Sequence, residues 1–210
     1  KTGKYSRKNW IEKERSFDFF DIKDDVLRTL SEIGIHSEKI KVSNKTKKWY
    51  HPGRSGLLSL GSETGPQLAY FGEIHPSIIK KLDLRVESVL GFEIFLDNIP
   101  DVQKKIREAK PQFIVSDYQK VIRDFAFVID EKFSSGEIIS LVKSIDKDLI
   151  KSVKIFDIYQ GENIESGKKS IAFSVTFEPK DKTLSEDDIE QISKKIIYVV
   201  QSKTLATLRS

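Results

Sequence analysis

The chain has 210 residues, enough for one ordinary domain core and a second, smaller one. Its 38% hydrophobic and 32% charged residues exclude a disordered chain, and no stretch offers the roughly 18 consecutive apolar residues of a bilayer span. The formal charge of +4 is unevenly divided, with 21 basic against 16 acidic residues up to position 110 and 15 against 16 after it, which excludes a uniformly basic nucleic-acid binder but not a local basic face.

In chain order, residues 1–10 lack the apolar core of a signal peptide. Residues 17–22 read as a strand, followed by Val26, Leu27, Leu30 and Ile33 at helical spacing. Ile40 and residues 57–60, 68–71 and 89–96 offer further strands, so this part reads as a sheet with helices packed on it. Residues 98–111 are polar, hold two prolines and carry Lys104, Lys105, Arg107 and Lys110, which marks a linker or a short connecting helix.

The run of Val121, Ile122 and residues 125–129 is a strand dense in β-formers, interrupted by Arg123 and Asp124. Ser134-Ser-Gly-Glu137 is a capping box, and Ile138, Leu141, Val142, Ile145 and Leu149 follow at helical spacing, with an expected end near Asp146. Strands are expected at 153–159 and 170–177, joined by a polar hairpin at 161–167. In the second of them Ile171, Phe173, Val175 and Phe177 alternate with Ala172, Ser174 and Thr176, giving one core face and one small, polar face. Ser185-Glu-Asp-Asp188 repeats the capping box before Ile189, Ile192, Ile196 and Val199, and residues 205–209 have room for a last strand, with Leu208 toward the core and Arg209 toward the open side. The result is a compact βαββαβ binding domain over 118–210, a split pattern in which two helices cover one sheet face and leave the other open. Small modules of this build read unstacked RNA bases on the open face. Candidates for that surface are Arg123, Tyr159, Lys168, Lys169, Thr207 and Arg209. The bland alternative gives Lys168 and Lys169 to solvation of a hairpin end, Tyr159 to a cap on the core and Arg209 to an ion pair with Asp124 or Asp157. Phe125 and Phe127 are expected in the core.

Motifs for chemistry are weak. Without cysteine there is no disulfide, thiol nucleophile or thiolate metal site, and a reducing compartment fits. A chain without methionine that starts at Lys1 inside a polar run reads as a piece of a longer protein. His51-Pro-Gly-Arg-Ser-Gly56 and Gly72-Glu-Ile-His-Pro76 bring two histidines, Arg54 and Glu73 into view as a metal, phosphate or hydrolytic site. His36 lies elsewhere, a zinc site needs at least three placed ligands, and the glycines lack a P-loop ending. No serine, histidine and acid set stands out.

Seven strings in order carry a resemblance over nearly the whole chain: Phe19-Phe-Asp-Ile-Lys23, His51-Pro-Gly-Arg-Ser55, Phe71-Gly-Glu-Ile-His-Pro76, Arg123-Asp-Phe-Ala-Phe127, Phe156-Asp-Ile-Tyr-Gln-Gly161, Gly167-Lys-Lys-Ser170 and Leu208-Arg-Ser210. Together they resemble the C-terminal part of bacterial phenylalanine–tRNA ligase β subunits. The resemblance implies an α+β chain: residues 1–100 as the end of a class II synthetase-like mixed α/β module without an active site, 101–117 as linker, and 118–210 as a ferredoxin-like anticodon-binding domain. It implies that catalysis, with ATP and Mg2+, belongs to the α subunit of a cytoplasmic α2β2 assembly, that this region itself needs no cofactor or metal, and that its partners are phenylalanine tRNA and the α subunit rather than DNA or a membrane. It assigns tRNA contact to Arg123, Lys168, Lys169 and Arg209. The alternative is a protein-interaction module with little direct tRNA contact. Three departures stand out: Gly56 where alanine is frequent, Asp24 where glycine is common, and Glu178 where a glutamine is frequent, the last expected to point away from tRNA phosphates.

Overall fold

The computed structural model describes residues 1–6, 8–100 and 116–209. They fall into two compact units, Lys1–Pro111 and Gln112–Ser210, each with its own core. Most of the expected linker, residues 101–115, lies outside the described residues.

The first unit is an antiparallel sheet in the order β1-β2-β3-β4, made of β1 (Ile40–Ser43), β2 (Tyr50–Leu60), β3 (Gln67–Ile74) and β4 (Leu90–Ile94). Helix α1 (Phe19–Glu32) lays Ile22, Val26 and Leu30, spaced by one helical turn, on Leu58, Ala69, Phe71 and Leu90 of the sheet. A short helix, α2 (Pro76–Lys81), follows β3. The strand expected at 17–22 is instead the start of α1. Asp18 accepts from the N–H groups of Phe20 and Asp21, at 2.8 and 3.1 Å, and the Asp21 carboxylate takes the N–H of Asp18 at 2.8 Å. This reciprocal cap closes a helical turn around an aromatic pair that looks strand-forming, sending Phe19 onto Phe71 at 5.1 Å and leaving Phe20 exposed.

Arg15 grips the same Asp21 with two hydrogen bonds of 2.6 and 2.7 Å, and chiefly for that reason the carboxyl titrates at about 2. A carboxyl whose folded value lies below its unfolded value of about 4 stabilises the fold above pH ~4 and loses that stabilisation as pH falls through ~2. The melting temperature of the first unit is therefore expected to fall between pH 4 and pH 2 by less in Asp21→Asn than in the parent chain, although the variant starts lower at pH 7. Parallel curves for the two proteins over that range would remove Asp21 from the acid response.

β2 begins well before the strand expected at 57–60, because it takes in the His51-Pro-Gly-Arg stretch as a bulge. Tyr50 faces Ile74 and Ser55 faces Gly72, so four residues of β2 stand opposite Glu73 alone. A Cβ at Gly56 would stand 2.6 Å from the ring of the fully buried Phe71, so glycine in place of the frequent alanine fits this aromatic neighbour. Asp24 sits inside α1 and pairs with Arg28 one turn on, at 2.7 Å.

The second unit runs β5 (Val121–Asp130), α3 (Ser135–Ile145), β6 (Ile150–Tyr159), β7 (Lys168–Phe177), α4 (Glu186–Thr204) and β8 (Thr207–Leu208), with sheet order β6-β7-β5-β8. This is the expected βαββαβ pattern. Ser134 and Ser185 cap α3 and α4 with the expected carboxylate partners Glu137 and Asp188, and Asp146 ends α3. Both helices cover one face of the sheet, where Phe173 stacks between Phe125 and Phe127 at centroid distances of 5.7 and 5.8 Å. The buried stripe of α4 runs from Ile189, Ile192 and Ile196 to Val200 and Thr204, advancing by four residues from Ile196, so the expected Val199 is only half-buried. The last strand is shorter than expected. Leu205 takes a left-handed conformation (φ 54°) to end α4, and pairing starts only at Thr207. Among the described residues no helix is long and apolar enough to cross a membrane.

Candidate nucleic-acid interface

Phe125, Phe127 and Ile129 of β5 point to the helices, so the intervening positions point away from them. Directly opposite residues of an antiparallel ladder share a face, and the register carries this open face across three strands. It joins Asp124, Ala126 and Val128 of β5 to Ser174, Ala172 and Ser170 of β7, and these to Lys154, Asp157 and Tyr159 of β6. The centre is low, with Ala126 opposite Ala172, and Ser174 donates its hydroxyl to Asp124 at 2.6 Å. A flat group can approach the backbone closely here.

Four of the six candidate residues share this face. Lys168 stands opposite Asp130 at the strand end and binds Glu165 at 2.6 Å, and Thr207 stands opposite Val128. Tyr159 stands opposite Ser170, is 40% exposed and donates its hydroxyl to the carbonyl of Glu162 at 3.1 Å. Arg209 donates its N–H to the Ala126 carbonyl at 2.8 Å and extends its guanidinium to the Ser170 hydroxyl at 3.4 Å. It forms no ion pair among the described residues, and Asp124, one of its expected partners, is engaged by Ser174 instead. Leu208 takes the core side, opposite Phe127, yet remains 39% exposed at the sheet edge.

Arg123 and Lys169 do not join them. Arg123 stands opposite the core residue Val175, and Lys169 opposite the core residue Ile129, so both lie at the rim of the helix-covered side. Lys169 is turned back to the carbonyl of Glu131 at 3.0 Å. Among the exposed apolar groups of this unit not counted as candidates, Ile122 stands opposite Thr176 on the open face and Phe156 at the bulge between Ile155 and Asp157. The broken alternation of Ile155-Phe-Asp157 is the trace of that bulge in the sequence.

Charge on the open face is mixed, since Asp124 and Asp157 offset Lys154 and Arg209. Glu178, just beyond β7, is held between Lys120 at 2.9 Å and Lys151 at 3.4 Å, and the Lys120 hydrogen bond leads in holding its carboxyl below the usual range. The glutamate is thus neutralised by neighbours rather than presented as a free anion.

In the first unit the residues considered for chemistry shape backbone. Arg54 binds Glu73 across the bulge with its Nε at 2.5 Å and Nη2 at 3.0 Å, a pairing that raises the guanidinium pKa. His51 Nδ1 accepts the N–H of Gly53 at 3.1 Å, and Ser55 donates its hydroxyl to the His51 carbonyl at 2.6 Å, closing the bulge. His75 Nδ1 accepts the N–H of Ser77 at 3.2 Å and caps α2. Among the described residues no three His, Asp or Glu side chains are grouped to hold a metal.

The second unit is by its topology a ferredoxin-like βαββαβ domain with one face free of helices. Residues 116–209 match the family described as ferredoxin-fold anticodon binding domain, and residues 1–96 match the phenylalanyl tRNA synthetase beta chain CLM domain. The chain corresponds to the C-terminal region of phenylalanine–tRNA ligase beta subunits. Among curated relatives so described, that of Rickettsia bellii is 43% identical over 99% of this chain, that of Rhodospirillum rubrum 40% over 100%, and that of Paramagnetospirillum magneticum 38% over 100%. The chain spans about a quarter of the length of these relatives, 23% to 26%.

Proposed function

We propose that the chain is a tRNA-binding and subunit-packing region of a phenylalanine–tRNA ligase, non-catalytic by itself. In this reading the second unit takes the anticodon stem-loop of phenylalanine tRNA on its open sheet face. The first unit packs in an α2β2 assembly in the cytoplasm, where the α subunit joins phenylalanine to tRNA using ATP and Mg2+. Residues 101–117 link the two. The observation that carries the reading is the low, small-residue sheet face within a unit that matches an anticodon-binding family. Unstacked bases suit such a face, with Tyr159 as a ring at its margin. Lys168 and Arg209 would meet phosphates at the face, and Arg123 and Lys169 phosphates passing its rim. The use of His51, Arg54, Glu73 and His75 in backbone hydrogen bonds and an ion pair supports a structural rather than hydrolytic role for them.

Arg209 is the sharpest test, since among the described residues its side chain makes one hydrogen bond, a long one. Arg209→Ala is expected to weaken binding of phenylalanine tRNA severalfold and to reduce the slope of log affinity against log salt by about 0.7 to 0.9, with the melting temperature nearly unchanged. An unaltered slope and affinity would take the phosphate role from Arg209. A flat salt dependence in the parent chain would favour the protein-interaction reading, for which exposed Ile122 and Phe156 would be the anchors.

A further inference from the structure

The sheet face of the second unit leaves one cationic region of the chain without a role. Residues 1–16 hold six basic and two acidic residues, an excess equal to the formal charge of the entire chain, +4. The described ones among them form a closed loop. Lys4 bridges to Ser16, Tyr5 N–H donates to the Arg15 carbonyl at 2.9 Å, and Phe17 N–H donates to the Gly3 carbonyl at 3.0 Å. Arg15 staples the loop base to α1 through Asp21, with its guanidinium 3.9 Å from the centroid of Tyr5. At the tip Asn9 accepts the N–H groups of Ile11 and Glu12 at 2.9 and 2.8 Å, an Asx turn that presents Trp10, 92% exposed.

A single exposed apolar side chain is ordinary on a protein surface. Here three features coincide: an indole in water, a turn that holds its backbone, and Lys4, Lys8 and Lys13 exposed in the same loop with no ion pair among the described residues. Arg15 differs, since its charge is already committed to Asp21. Free ammonium groups beside a stackable ring are the two components by which proteins hold single-stranded nucleic acid, the cations tracking phosphates and the ring taking a base. We propose that the loop of residues 4–16 is a second RNA contact, separate from the open face of the second unit, in which Trp10 stacks on an unpaired base and Lys4, Lys8 and Lys13 meet the adjoining phosphates. An RNA partner fits better than a protein pocket because basic residues outnumber acidic ones six to two over residues 1–16.

The chain has two tryptophans, so Trp49→Phe leaves Trp10 as the sole indole emitter. Titrating that full chain with a 12-nucleotide oligouridylate is expected to quench the emission, with a midpoint that rises with salt. An abasic oligomer of the same length and charge is expected to bind without quenching. Trp10→Ala, followed by anisotropy of labelled oligouridylate, should weaken binding about fivefold or more while leaving affinity for the abasic oligomer unchanged. Lys8→Glu with Lys13→Glu should weaken both. Repeating the quenching titration in Arg209→Ala separates this loop from the sheet face, because the Trp10 signal should persist there. Absence of quenching by oligouridylate, or equal quenching by the abasic oligomer, overturns the proposal, as does a Trp10 signal that responds only to added protein.

Discussion

Phe173→Ala is expected to lower the unfolding transition of the second unit by more than 10 °C. The side chain is fully buried, stacked between Phe125 and Phe127, and lies on the central strand of the three long ones. Removing a buried phenylalanine ring costs about 3–5 kcal/mol, against a total of about 5–15 kcal/mol for a domain, and about 1 kcal/mol shifts the midpoint of a unit this size by some 4–8 °C. Two-stage melting of the full chain, followed by circular dichroism, checks it: the second unit's transition should move while that of the first stays in place. A shift under about 4 °C would mean that the neighbouring rings collapse into the void, and that the stack contributes little beyond its area.

Gly72→Ala should do comparable damage to the first unit. Its φ of 144° is one that side chains rarely adopt, and a Cβ there would lie 2.5 Å from the Cα of Ser55 and 2.6 Å from the carbonyl oxygen of Arg54. Those are backbone atoms of the bulge in β2, so relief requires the strands to part and the Arg54–Glu73 pair to loosen. Strained φ and overpacking each cost about 1–3 kcal/mol, which gives about 2–6 kcal/mol together. Gly91, directly opposite in the ladder, is the control, because a Cβ there meets nothing within 4 Å. Gly91→Ala should melt within a few degrees of the parent, and equal destabilisation of both variants would show that strand flexibility, not the close approach at Ser55, sets the requirement.

Much of the second unit was legible because its signals are local. Ser134 with Glu137 and Ser185 with Asp188 announce helix starts within four residues, and the alternation from Ile171 to Phe177 separates the two sheet faces without reference to any other strand. The same alternation carries a signal for the site: Arg123 lies two residues from Phe125, and Lys169 two from Ile171, which assigns both to the helix side. Their charge suggested a shared surface that their parity does not support. In the first unit the bulge depends on residues distant in sequence, whereas the start of α1 is a local signal hidden by the composition around it. The bulge of His51-Pro-Gly-Arg54 exists because Glu73 and Gly72 stand across from it, and the start of α1 depends on an Asp18 to Asp21 cap reinforced by Arg15. An aromatic pair such as Phe19-Phe20 has the composition of a strand, so local composition favoured the wrong element there.

The pairing of the first and last strands of the second unit sets where its chain enters and leaves. Arg209 is bound to Ala126, five residues from the start of β5, so Arg209 and the start of β5 are about 17 Å apart along that strand. A unit with neighbouring ends and a self-contained core can be spliced into or out of a host chain without threading through it. That is the geometry of a transferable cassette, suited to exchange between proteins by recombination and to circular permutation in the laboratory.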